Sequence, residues 1–88
     1  MNEHELRATL EREGFSNIFV QEDSAGKHYT PHKHEKITTH IVLDGLITIT
    51  VFGHPTILGP GKRLDVPANV IHEATAGPNG CKFLTGEK

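Results

Sequence analysis

Residues 38–52 read Thr38-Thr39-His40-Ile41-Val42-Leu43-Asp44-Gly45-Leu46-Ile47-Thr48-Ile49-Thr50-Val51-Phe52. β-Branched residues dominate both halves, as a pleated, half-buried strand prefers. Asp44 and Gly45 sit between the halves, and both tolerate positive φ, which predicts a two-residue hairpin turn. The stretch therefore predicts two strands, Thr38 to Leu43 and Leu46 to Phe52, in an antiparallel all-β fold. Alternation puts Thr48 and Thr50 on one face and Ile47, Ile49 and Val51 on the other. Either set could line the interior. An aliphatic set facing outward would mark a dimer contact, since an exposed apolar strip is otherwise an aggregation liability.

The same pattern of short strands and turn signals extends in both directions. Upstream, Phe15 to Val20 predicts a strand and Asp23-Ser24-Ala25-Gly26-Lys27 a turn, and His28 to His34 can be extended. Downstream, Thr56 to Leu58, Leu64 to Val66, Ile71 to Ala76 and Cys81 to Leu84 predict further strands. They are separated by Gly53-His54-Pro55, Gly59-Pro60-Gly61, Pro67-Ala68-Asn69 and Gly77-Pro78-Asn79-Gly80. About eight short strands at this spacing predict a small barrel or sandwich. Residues 3–13 read differently. Glu3 and Glu5 favour the positive end of a helix dipole, Asn2 is a suitable N-cap and Gly14 a suitable stop. Leu6 and Leu10 give this short helix a narrow apolar stripe, enough to dock but not to form a core. Residues 1–14 thus read as an N-terminal helix and 15–88 as a single barrel domain.

The bulk numbers bound the function. At 88 residues and a net charge of −2 the chain is one domain with no basic block. Nucleic acid and anionic membrane surfaces are therefore not expected as partners. No apolar run approaches the roughly 20 residues of a membrane span. The N-terminus does not read as a secretory signal, and a single cysteine, Cys81, allows no internal disulfide, so a cytoplasmic setting is expected. So small a chain has a thin core and needs a metal, a closed sheet or a partner subunit, and a homodimer is expected. Seven histidines are present against about two at ordinary usage, and six lie between His28 and His72.

Pro31-His32-Lys33-His34 carries the chemistry. On a strand His32 and His34 share a face, about 6.5–7 Å apart, and can converge on one ion. Two ligands hold a metal weakly. His72, just after a proline bend, is the best third candidate. On the same reading Tyr29 and Lys33 point outward, His4 and His54 are solvent residues, and His28 is an exposed turn residue or lies at the barrel mouth. Glu35 and Glu73 face away from the histidines. Cys81 has no base beside it and reads as a small buried residue.

These spacings resemble the cupin superfamily, in its small single-domain, conserved-barrel form. The family's first motif runs Gly, five residues, His-x-His, three or four residues, Glu, six residues, Gly. Here Gly26, His32, His34, Thr38 and Gly45 stand at those places. The second motif runs Gly, five residues, Pro-x-Gly, two residues, His, three residues, Asn. Here Gly61, Pro67, Asn69, His72 and Ala76 occupy it. The resemblance covers Gly26 to Ala76 and implies a small jelly-roll β-barrel holding a metal on His32, His34 and His72. It also places Thr38 where the family has a Glu ligand, Asn69 where it has a glycine, and Ala76 where it has an asparagine. Asn69 tolerates left-handed backbone angles, so that departure is mild. Some cupins, among them thiol and diketone dioxygenases, bind iron with three histidines and no Glu.

If position 38 faces the metal, His40 does too, one pleat further along. His40 then reads as a fourth ligand, as a general acid or base, or as a hydrogen-bonded core histidine. Buried without a carboxylate, it would stay neutral. Thr38 would orient a ligand through its hydroxyl. The cofactor that the resemblance implies is a divalent transition metal, with Zn, Fe, Ni, Cu and Mn all open. One function that follows is a metal-dependent oxygenase, isomerase or lyase acting on a small anionic or chelating molecule. The other is a non-catalytic metal or small-molecule binding or sensing module.

Overall fold

In the computed structural model, which describes residues 2–88, the Asn2 side chain accepts a hydrogen bond from the Glu5 N–H at 2.8 Å. This caps a helix, α1, spanning Glu3–Arg12. Six strands follow: β1 (Ser16–Asp23), β2 (His28–His32), β3 (Thr38–Val51), β4 (His54–Leu58), β5 (Arg63–Val66) and β6 (His72–Glu87). All pairings are antiparallel. The hydrogen-bonded path runs β1-β6-β3-β4, with β2 also on β6 and β5 also on β3.

The long strands β3 and β6 are the backbone of the fold. They pair in two stretches: residues 38–45 of β3 with 81–87 of β6, and 47–51 with 72–76. The residues between, 77–80, are passed over in the pairing. The first stretch, flanked by β1 and β5, makes one layer. The second, flanked by β2 and β4, makes the other. This is the jelly-roll arrangement, with two strands passing from layer to layer.

The hairpin expected at Asp44-Gly45 is not formed. Gly45 does take positive φ (+78°), but inside a continuous strand. The pairing register shifts on either side of it, between Val42 and Asp44 and between Gly45 and Ile47. The left-handed residue makes a bulge that turns the strand through the corner. A Cβ at position 45 would collide with the Gly80 carbonyl oxygen, so only glycine fits there. The same corner merges the two strands expected at 71–76 and 81–84 into β6.

Between the layers lies the core: Val42, Val66, Cys81 and Phe83 from the first, and Ile47, Ile49, Leu58, Ala74 and Ala76 from the second. The aliphatic face of residues 47–51 points inward, so that strip is no dimer contact. A second cluster sits on the outer face of the first layer. Leu10 and Phe15 pack there on Ile41 and Leu84, with Leu6, Ile18, Val20 and Ile37 around them. α1 docks through the narrow stripe read from its sequence. Arg63 locks its end, donating to Glu13 Oε1 and Oε2 at 2.7 and 2.9 Å and to both Asp65 oxygens at 2.9 Å. No helix among the described residues is long and apolar enough to cross a membrane.

Candidate metal centre and its cavity

β2 brings His32 to the cavity, the following loop brings His34, and β6 begins with His72. His32 and His72 are direct cross-strand partners. Their ring centroids lie 4.3 Å apart, those of His32 and His34 4.9 Å, and those of His34 and His72 5.3 Å. One ring nitrogen from each falls within 4.8 Å of the others. Their spacing, with the family resemblance, proposed these three, and the fold brings all three together.

Hydrogen bonding shows what these rings can do. Nδ1 of His32 is 2.6 Å from the Thr30 carbonyl, and Nδ1 of His72 is 3.0 Å from the Val70 carbonyl. A carbonyl only accepts, so each Nδ1 carries the proton and donates it. In the neutral ring this leaves Nε2 with a free lone pair. A backbone carbonyl holding the far ring nitrogen in this way is the usual support of a metal-ligating imidazole. Burial, and then the neighbouring histidines, hold His72 below the ordinary histidine pKa, which favours its unprotonated, ligating form. The donor set therefore fits a divalent transition metal. Asn69 supports it from the loop before β6. Its φ is +62°, as expected for the residue in the motif's glycine place, and its N–H donates to the His34 carbonyl at 2.7 Å.

The three rings lie along a cavity of about 660 Å³. Its apolar wall is Phe19, Ile47, Ile49, Ala74 and Phe83. His40 lines it as well, 5.8 Å from the Phe83 ring, and lies outside the three-histidine cluster. Burial pushes its pKa down to about 4, so the ring is neutral near pH 7, as expected from its surroundings. Its Nδ1 is buried with no protein partner. Thr38 is buried on β3 with an unpartnered hydroxyl and is not among the residues lining the cavity.

Two expectations, one on β2 and one at the end of β1, are corrected. Tyr29 does not point outward with Lys33; it packs against the core, lines the cavity and lies 6.4 Å from the His32 ring. The cause is a register shift between Tyr29 and His32, which breaks the alternation. Asp23 is not a turn residue. It ends β1, is only 6% exposed, and accepts hydrogen bonds from the Tyr29 hydroxyl (2.8 Å) and Gln21 Nε2 (3.0 Å). Burial, with Asp23 beside it, pushes the Tyr29 pKa up to about 12. His28 is exposed at the rim, hydrogen bonded to Thr75. His4 and His54 are exposed too. Cys81 is buried in the core, where burial raises its pKa to about 11.

The family model for the cupin domain matches residues 19–85. The chain belongs to the cupin family. This cupin is 30% identical over 67 residues to dimethylsulfoniopropionate lyase DddW of Ruegeria pomeroyi, a match covering 76% of the chain and 44% of the lyase. It thus spans less than half of that relative. Among solved structures it resembles a cupin superfamily protein from Desulfitobacterium hafniense, with 27% identity and a TM-score of 0.73. That match covers 80% of this chain and 63% of the other. It also resembles the DMSP lyase DddQ of Ruegeria pomeroyi, with 25% identity and a TM-score of 0.74 over 81% of this chain and 36% of the other.

Proposed function

We propose that this cupin binds one divalent transition metal on His32, His34 and His72 and acts as a metal-dependent lyase on a small chelating substrate. One observation carries the metal reading: three imidazoles converge within 4.8 Å, two of them with Nδ1–H held by a backbone carbonyl. The likeness to two lyases of the same fold favours elimination over oxygenation or isomerisation.

A bound metal would supply Lewis acidity, polarising a substrate oxygen. The chain supplies the rest. Ile47, Ile49, Ala74 and Phe83 exclude water from one side of the substrate. His40, which lines the cavity and is neutral, accepts a hydrogen bond or proton from a group entering it. It is the proposed proton-transfer residue; a role for the Thr38 hydroxyl would require it to reach the ligand from behind the cavity wall. Two copies are proposed to associate, because a chain this small buries little apolar area alone. A monomer in sedimentation at micromolar concentration ends that part.

The test is turnover by protein loaded in turn with Fe(II), Zn, Ni, Cu and Mn. Dimethylsulfoniopropionate consumption and a dioxygen-uptake screen of small acids, thiols and diketones are read in parallel. Elimination without dioxygen uptake supports the lyase reading, and uptake transfers the assignment to oxygenation. A second reading, a non-catalytic binding module, is favoured by the absence of any carboxylate among the cavity-lining residues. Retention of metal with no turnover of any substrate class supports it.

A further inference from the structure

The charged groups around the cavity are unbalanced. Among the described residues its lining holds one lysine, Lys27, and no aspartate or glutamate. Lys27 enters none of the ion pairs found among the described residues. Its position is nevertheless defined. Nζ lies 5.1 Å from the Tyr29 ring centroid, within the range where the ring's negative face attracts a cation. The ring itself is fixed, because its hydroxyl donates to the buried Asp23 carboxylate, which Gln21 also holds. Donation to an anion makes the ring richer in electrons and a better seat for the ammonium. The same ring lies 6.4 Å from His32. Tyr29 thus neighbours both the lysine and the three-histidine cluster in the lining of one cavity.

A metal on three neutral imidazoles brings two positive charges, and the family's usual Glu is here Thr38. Among the described residues no carboxylate lines the cavity to neutralise those charges, and Lys27 stands exposed at its rim. A cavity walled by apolar side chains concentrates such a field, and a ligand anion is what relieves it. We infer that Lys27, seated on Tyr29 and through it on Asp23, is the anion anchor of this cavity, selecting ligands with a carboxylate at one end and a metal-binding group at the other. The inference rests on the cavity being the ligand site proposed above. Tyr29 and Asp23 are positioning residues: they hold the lysine and do not touch the ligand.

The test compares 3-hydroxypropionate with its neutral amide, 3-hydroxypropionamide, by titration of the Co(II)-loaded protein followed through the cobalt absorption spectrum. A charge-assisted contact is expected to favour the acid by about tenfold. Lys27→Gln is expected to bring the two within about twofold, Lys27→Arg to keep most of the preference, and Tyr29→Phe to reduce it by about threefold. Metal stoichiometry, measured on the same samples, is expected to be unchanged in all three variants. A Lys27→Gln protein that keeps the full preference overturns the inference. If the wild type retains no cobalt, the metal reading fails separately. The acid-to-amide ratio is then taken on metal-free protein by NMR shift titration, and loss of the preference in Lys27→Gln still supports the anchor, whereas no preference in the wild type overturns it.

Discussion

The Nδ1–H groups of His32 and His72 each donate to a carbonyl two residues upstream, so each ring is aimed before any ligand arrives. Preorganisation of this kind makes the site sensitive to backbone changes as well as to loss of a ring. Asn69 shows this: its left-handed backbone places the N–H that holds the His34 carbonyl. Asn69→Val is expected to cost about 1–2 kcal/mol in urea unfolding of the metal-free protein and to weaken metal affinity. Asn69→Gly should stay within about 0.5 kcal/mol of wild type. Equal stability of the two variants would show that φ at 69 is not strained. Much at this scale was legible in the sequence. His32, His34 and His72 stood at ligand spacing, and Asn69 stood where a glycine was due. Tyr29 and Asp23 were not, because strict alternation from His32 sends Tyr29 outward, and a bulge between them cannot be read from one strand without its partner.

At the scale of elements, β3 and β6 each continue through a corner where the sequence indicates a break. The signals were sound: Gly45 does take positive φ, and residues 77–80 do leave the ladder. What the sequence lacks is the partner. Glycine at a turn and glycine at a strand corner look alike until Gly80 is seen against Gly45. Gly45→Ala, with both positive φ and a carbonyl in the way, is expected to destabilise by about 2 kcal/mol or more, read as a fall in the urea midpoint. The helix is separately testable. Leu10, on its inner face, is fully buried, and Leu10→Ala is expected to cost about 3 kcal/mol. A loss below about 1 kcal/mol would mean that α1 is not docked in solution.

For the molecule as a whole, the buried histidines and the Arg63 network set how stability follows pH. His40 and His72 have folded pKa values below the ordinary 6.5, His40 at about 4. The unfolded chain therefore binds more protons between those values. Stability of the metal-free protein is complete above about pH 6.5 and falls as pH drops toward 4, by on the order of 3 kcal/mol from His40. Arg63 lowers the Asp65 and Glu13 pKa values, so their contribution is present above the ordinary carboxylate range and is lost as the pH falls through their lowered values. Urea midpoints from pH 8 to pH 4 check the histidine part. A flat profile across pH 6.5 to 4 would contradict the buried, neutral state of His40.

The small size and the histidine surplus meet in the metal. An ion that binds the folded chain alone, at 100 times its Kd, adds about 2.7 kcal/mol, a rise in Tm of roughly 10 °C or more for a chain this short. The most direct measurement is elemental analysis of untagged protein, wild type beside His32→Ala and His72→Ala, each with its folded state checked by circular dichroism. One equivalent of a divalent transition metal per chain in the wild type, and almost none in either folded variant, is the expected result. Equal metal content in all three, or none in the wild type after incubation with each metal, would contradict it.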